Sequence, residues 1–201
     1  MLSQARDLYH AALDEDPHFA PAWAKLGRVL RVMAKYGHGD DEEDRQQAEL
    51  AFLSALELNP RLTTAHNLFA YYEIEELGRP RDALVRLLGQ ARQHPTSPEL
   101  LAGLVVACRF CGLLEPSIEA DARARRLDPG IRTSVAYTHW MRGDDEEAIR
   151  TDDAHHRWQQ NYSLPMIGRG DEAIEACRQA EARATHDIER SMHCSTRTAL
   201  E

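Results

Sequence analysis

The chain lacks the long apolar segments and the basic surplus that several classes of protein require. No stretch of its 201 residues approaches the roughly 18–20 consecutive apolar side chains that span a bilayer. The N-terminal segment has no apolar core of the kind found in signal peptides, and the four cysteines suggest reduced thiols in a cytoplasm. Lysine and arginine number 24 against 33 acidic residues, and the net charge of −9 argues against binding to nucleic-acid phosphates. We therefore expect no membrane contact and no nucleic-acid partner.

Cysteines are few and catalytic motifs are absent. The cysteines are Cys108, Cys111, Cys177 and Cys194. Cys108 and Cys111 have the spacing of zinc and redox motifs, but no second pair completes a tetrahedral zinc site. The neighbouring His155 and His156 point in different directions on a helix and cannot chelate one ion together. No Gly-x-Ser-x-Gly, phosphate-binding glycine loop or His-Glu-x-x-His motif occurs. We predict no enzyme, cofactor or metal site, and a metal- or thiol-dependent enzyme is the weakest alternative.

What the chain does contain is proline at a regular spacing. Pro17, Pro60, Pro95 and Pro129 each close a helix-like run that ends in an acidic or polar residue. The intervals are 43, 35 and 34 residues, and the first becomes 34 when a nine-residue insertion near Tyr36–Asp44 is set aside. A period near 34 residues indicates an array of helical repeats, which bury their apolar faces by stacking.

The residues between the prolines repeat as well. Two sets have helical spacing in the first full unit: Trp23, Leu26, Gly27 and Leu30, then Ala48, Phe52, Ala55 and Pro60. This pattern resembles the tetratricopeptide repeat, in which an aromatic residue and Leu-Gly mark the first helix and Ala, an aromatic residue, Ala and Pro mark the second. The resemblance covers nearly the whole chain. It implies an all-α fold, an α-solenoid of about four to five helix-turn-helix units.

We interpret 1–201 as one array. Its parts are a lone second helix (1–18), a unit with an insertion at 36–47 (20–62), two regular units (63–97 and 98–131), a degenerate unit (132–165), a last unit (166–195) and a tail or cloning scar (196–201). The insertion is expected to be a solvated loop followed by an elongated second helix that starts with acidic residues.

Local signals mark the ends of the predicted helices. Four glycines are expected to end first helices in the left-handed conformation: Gly78, Gly112, Gly143 and Gly170. Asp144, followed three residues later by Glu147, resembles a capping box at the start of the next helix.

Family resemblance also places the candidate binding residues. In tetratricopeptide proteins the concave face is lined by fixed positions of the first helices. Carried over to this sequence, the implied partner-binding residues are Lys25, Arg28, Arg31, Asn67, Tyr71, Arg109, Tyr137 and Trp140. The four cations would form a basic patch beside aromatic anchors, which suits an acidic ligand. Chaperone-binding members of the family hold a C-terminal carboxylate with a Lys–Asn clamp. Only Asn67 matches a clamp position type here, so that specificity is not transferred.

The leading interpretation is a non-enzymatic interaction module that binds a peptide or partner helix in its groove. Parts of the chain resemble repeat regions of bacterial signalling proteins, which implies a bacterial source. The alternative is a self-associating assembly protein. In that case the lone helix at 1–18 exposes an uncapped apolar stripe that a second copy would cover as a homodimer.

Overall fold

Helices joined by short turns make up the part of the chain that the structure describes. The computed structural model describes residues 2–37, 41–152, 160–183, 194 and 196–198, and within them it contains no strand. The helices are α1 (Leu2–Glu15), α2 (Ala20–Lys35), α3 (Asp41–Leu58), α4 (Thr63–Glu75), α5 (Pro80–Gln93), α6 (Pro98–Phe110), α7 (Leu114–Leu127), α8 (Val135–Arg142), α9 (Asp145–Thr151), α10 (Gln160–Met166) and α11 (Gly170–Arg183). The predicted all-α fold is confirmed. None of the described helices is both long enough and apolar enough to cross a membrane.

The helices pack as consecutive pairs. The pairs are α2 with α3, α4 with α5, α6 with α7, α8 with α9, and α10 with α11, and α1 packs on α2. The first helices of successive pairs also contact one another, from α2 through α4 and α6 to α8. The second helices α3, α5 and α7 show no comparable contact with each other in the described ranges. Because the first helices lie closer together, the array curves with the first helices on its concave wall, as a solenoid does.

The first full pair is held to the next by an aromatic cluster. Phe52 of α3 packs against both Phe69 and Tyr72 of α4, with ring centroids 5.6 and 5.7 Å away. Phe52 and Tyr72 are almost completely buried. Gly27 of α2 makes room for the Phe52 ring, since a Cβ at that glycine would lie 2.9 Å from the ring carbons. The glycine of the repeat pattern therefore lets two helices approach closely.

The prolines that define the period lie in a recurring turn. The side-chain oxygens of Asp16, Asn59 and Asp128, each directly before a proline, accept the backbone N–H two residues later at 2.9, 3.1 and 2.9 Å. This side-chain turn explains why a short polar residue precedes the proline, because it holds the chain in the bend between pairs. His94, before Pro95, is the exception, and its Nε2 atom is buried without a hydrogen-bond partner.

Three of the proline carbonyls are bonded to side chains of helices that follow. The bonds run from Trp23 Nε1 to Pro17 O at 2.8 Å, from His66 Nε2 to Pro60 O at 2.9 Å, and from Arg123 Nη2 to Pro95 O at 3.0 Å. Each bond satisfies a backbone acceptor that the turn leaves outside any helix.

The glycine prediction is right at three positions and wrong at one. Gly78, Gly112 and Gly143 have positive φ directly after first helices or within two or three residues of their ends. Gly170 does not end a helix but is the first residue of α11. The left-handed glycine after α10 is Gly168, with φ 78°.

The capping-box prediction is also wrong. Asp144 is the N-cap residue of α9, but its side chain makes no capping hydrogen bond. Its carboxylate accepts a hydrogen bond from Arg142 instead. The charged guanidinium holds the carboxylate through Oδ2, and neither oxygen bonds to an N–H group at the start of α9.

The structure bears differently on the insertion at 36–47 and on the degenerate unit at 132–165. The structure confirms the elongated, acid-started second helix, because α3 begins at Asp41, inside the range 36–47 given to the insertion, and continues for 18 residues. Further along, α10 is the helix that packs against α11. It lies, apart from its final residue Met166, in the range that the sequence interpretation gave to the fourth unit. His155 and His156 lie outside the described residues.

Candidate functional site

The α2 end of the concave wall carries two cations. Lys25 is half-buried and Arg28 is exposed. Neither has a carboxylate within 4.0 Å in the part of the chain that the structure describes.

Arg31, one turn further along α2, is already paired. Its Nη2 lies 2.5 Å from Glu75 Oε2, and its Nε lies 3.2 Å from Glu76 Oε1. Lys35 adds a second cation to Glu75 at 2.7 Å. These ion pairs join α2 to α4. Of the four cations predicted to form a basic patch, Arg31 is therefore already engaged within the protein.

Asn67 also makes an internal contact. Its Nδ2 donates to the backbone carbonyl of Glu99 at 2.7 Å, which links α4 to the first turn of α6. The side chain lies directly against Gly103, where a Cβ would clash with it. Asn67 thus determines how closely two first helices approach.

Arg109 lies at the middle of the wall and is only 8% exposed. Its Nη1 donates to the carbonyl of Ser134 at 2.7 Å and to the hydroxyl of Ser134 at 3.0 Å. Within the described residues no carboxylate lies within 4.0 Å of the guanidinium. Burial lowers the pKa of Arg109, because a charge removed from water is destabilised. The site is a buried cation that no anion of the described residues pairs.

Two tyrosines flank this cation. The guanidinium carbon of Arg109 lies 5.4 Å from the ring centroid of Tyr137 and 5.5 Å from that of Phe110. Tyr71 of α4 is close enough to interact electrostatically with Arg109 from the other side. Burial raises the pKa of Tyr71 and of Tyr137, and the nearby Arg109 charge partly opposes both shifts. Both phenols are therefore neutral hydrogen-bonding groups at neutral pH.

Beyond Tyr137 the wall becomes apolar and open. Trp140 is 42% exposed, and its ring centroid lies 6.2 Å from that of Tyr162 on α10. Phe110 and Met166 are also exposed. Sequence reasoning missed Phe110, Tyr162 and Met166. Phe110 could have been found as the next residue after Arg109, whereas Tyr162 and Met166 lie within 151–166, where the repeat pattern loses its register.

Cys108 of α6 is part of the packing, whereas Cys111 directly follows that helix and is partly exposed. Cys108 is buried, and burial raises the pKa of its thiol to about 11. A thiol with so little thiolate at neutral pH is a poor nucleophile and metal ligand. Across the residues that the structure describes, no three His, Cys, Asp or Glu side chains come together as metal ligands.

Known structures share this architecture, although no protein-family model and no curated protein matches the chain. A thermophilic tetratricopeptide protein from Thermus thermophilus is 20% identical, over 88% of this chain and 98% of its own, with a TM-score of 0.70. A tetratricopeptide repeat protein from Parabacteroides merdae is 16% identical, over 98% and 80% of the two chains, with a TM-score of 0.64. This protein has the tetratricopeptide-repeat fold.

The same fold recurs in a larger assembly. A chain of the Cut9–Hcn1 hetero-tetramer of the APC/C is 17% identical with a TM-score of 0.70, and the match covers 99% of this chain but 39% of that one. Identities this low establish the fold alone.

Within this tetratricopeptide array the predicted binding residues separate into three groups. Tyr71, Arg109 and Tyr137 come together, and Trp140 lies on the same helix as Tyr137. Lys25 and Arg28 lie at the other end of the wall on α2, whereas Arg31 and Asn67 make interhelical contacts.

Proposed function

We propose that the protein is a non-enzymatic interaction module that binds an extended acidic peptide in its concave groove. Arg109 anchors one carboxylate of that peptide. The observation that supports this proposal is the buried guanidinium of Arg109, which has no carboxylate of the described residues within ion-pair distance and feels Glu75 only from further away.

The physical argument starts from the free energy of a buried charge. A buried cation is ordinarily paired, because removing it from water costs several kcal/mol that only an opposite charge can offset. Ser134 satisfies Nη1 but supplies no charge. The Nε and Nη2 groups make no hydrogen bond within the described ranges, and together they form the edge that binds a carboxylate with two parallel bonds.

The surroundings of Arg109 suit a peptide rather than a small anion. The Tyr71 and Tyr137 rings border the anchor, and Phe110, Trp140 and Tyr162 extend an apolar wall toward α10. Aromatic side chains of this kind contribute most of the binding energy at peptide interfaces. At the α2 end, Lys25 and Arg28 attract further acidic residues. A bacterial source and a cytoplasmic location stay predictions from the sequence.

A peptide-display selection tests the proposal and identifies ligands from a random library. Peptides selected on the wild-type protein are expected to carry Asp, Glu or a free C-terminus next to an aromatic or aliphatic residue. In fluorescence polarisation with a selected peptide, Arg109→Gln should raise the Kd by about tenfold or more, because charged hydrogen bonds contribute roughly 1.5–3 kcal/mol.

The control is Arg126→Gln, which removes an exposed arginine from the second helix α7. It should leave the Kd unchanged. Urea unfolding of both variants separates lost binding from lost folding. Selection of no groove-binding peptide, or equal affinity for folded Arg109→Gln, would contradict the proposal.

A further inference from the structure

The convex side of the array carries exposed apolar residues on two successive second helices. Leu50 and Leu53 of α3 are 64% and 46% exposed, and Val85 and Leu88 of α5 are 70% and 40% exposed. Both pairs occupy equivalent positions, two and five residues after a buried alanine of their helix. We call these four residues the convex stripe. They lie away from the concave groove, because the buried faces of α3 and α5 separate them from it.

The apolar character of these positions is specific to α3 and α5. The equivalent positions of three other second helices are Asp7 and His10 in α1, Glu119 and Ala122 in α7, and Glu175 and Arg178 in α11. A shared structural requirement would make these positions apolar in every repeat. Exposed apolar patches on a limited area instead mark contact sites.

Charged residues flank the convex stripe, an acidic one on α3 and two arginines on α5. Glu57 lies one turn after Leu53 on α3, whereas Arg81 and Arg92 lie one turn before Val85 and one turn after Leu88 on α5. All three charged residues are exposed, and none has an ion-pair partner among the residues described. An acid on one helix and arginines at both ends of the other are complementary.

We infer that the convex stripe is a self-association surface, in which α3 of one copy packs on α5 of a second copy. A two-fold axis forms both α3–α5 contacts at once, as in most homodimers. In either relative direction of the helices, Glu57 meets an arginine of the second copy. Packing α5 on α5 is disfavoured, because Arg81 and Arg92 would face each other. The partner that fits this surface is therefore another molecule of the same chain.

Sedimentation equilibrium of the full chain tests the inference. The wild-type protein should form dimers as its concentration rises. Leu53→Glu or Leu88→Glu should raise the dimer dissociation constant by about tenfold or more, because each places a charge in an apolar contact. The matched control is Leu8→Glu on α1, a leucine that is 65% exposed at a different helical position. It should leave the dissociation constant unchanged.

A charge exchange gives a second test that leaves the apolar residues intact. Glu57→Arg alone should weaken the dimer, and Glu57→Arg combined with Arg81→Glu and Arg92→Glu should restore it. A wild-type protein that stays monomeric at its highest soluble concentration overturns the inference. A dimer that is unaffected by Leu53→Glu and by Glu57→Arg overturns it as well.

Discussion

Arg31 and Arg109 occupy equivalent positions in α2 and α6, but their neighbours differ. Arg31 meets the carboxylates of Glu75 and Glu76 on the next first helix. Arg109 instead donates hydrogen bonds to the carbonyl and hydroxyl of Ser134, just before the next first helix, and lies against the ring of Tyr137. A carbonyl satisfies an N–H group without neutralising the cation, so Arg109 retains its attraction for an anion. One residue type therefore acts as a helix–helix contact in one repeat and as a candidate anchor in another.

Gly27 allows a test of how tightly α2 packs against the Phe52 ring, because substitution by alanine adds a single methyl group there. Gly27→Ala should reduce the free energy of unfolding by about 1–3 kcal/mol, because its Cβ would press against the buried ring of Phe52. Urea denaturation measures the change. Gly89→Ala in α5 is the control, since nothing lies within 4 Å of the added methyl group. That variant should be as stable as the wild type or more stable, and equal losses in both variants would refute the packing argument.

His66 provides a prediction on pH. Its Nε2 donates to Pro60 O, so its Nδ1 accepts from Arg86, and the ring is neutral. Burial lowers the pKa of His66 below its usual 6.5, and the Arg86 charge lowers it further. Below about pH 6.5 the unfolded chain therefore binds the proton first, and the stability contributed by neutral His66 is lost as the pH falls toward its folded pKa.

The experiment compares His66→Gln with the wild type by urea denaturation between about pH 5 and 7.5. The variant should be less stable by about 1–2 kcal/mol at the upper pH, where it lacks the hydrogen bonds of neutral His66. The difference should shrink toward the lower pH. His10→Gln on α1, an exposed histidine, is the matched control. A difference that is constant with pH would show that His66 does not titrate as described.

At the scale of elements, the turn before α6 departs from the pattern of the other turns. His94 does not accept the N–H two residues later as Asp16, Asn59 and Asp128 do. His94→Asp should increase the free energy of unfolding by about 1 kcal/mol, because it forms the missing turn bond and removes a buried nitrogen without a partner. Thermal unfolding measures this change. An unchanged or lower Tm would contradict the role given to the residue before proline.

The elements that sequence predicts best are those with a local physical cause. The proline period is readable because Asp-Pro and Asn-Pro form the same turn at Asp16, Asn59 and Asp128. The end of α10 was not readable in the same way. Gly168 and Gly170 are separated by one residue, and which of them adopts positive φ depends on where α10 stops. Asp144 failed as a cap for a similar reason, because Arg142 competes for its carboxylate.

At the scale of the molecule, the sequence predicted which helices form the concave wall but not which of its cations are paired with carboxylates. The positions that line the groove in the family include both Arg31 and Arg109, and only the folded structure shows that Arg31 is paired.

The structure also bears on the self-association surface expected at 1–18, because several apolar side chains of α1 pack inside the array. Tyr9, Ala12 and Leu13 of α1 pack into the first core cluster, and Leu8 is the large apolar side chain of this helix that stays exposed. The convex stripe on α3 and α5 is the larger apolar surface.

The carbonyls of Pro17, Pro60 and Pro95 lie at three junctions between stacked units, and each accepts a hydrogen bond from a different kind of side chain. Indole and guanidinium keep their protons in mild acid, whereas imidazole gains one. The bond at Pro60 nevertheless survives, because Nε2 of His66 already carries the proton that it donates. The added proton goes to Nδ1, which faces the Arg86 cation of α5, so acid would loosen the pairing of α4 with α5 inside one unit rather than the stacking of units.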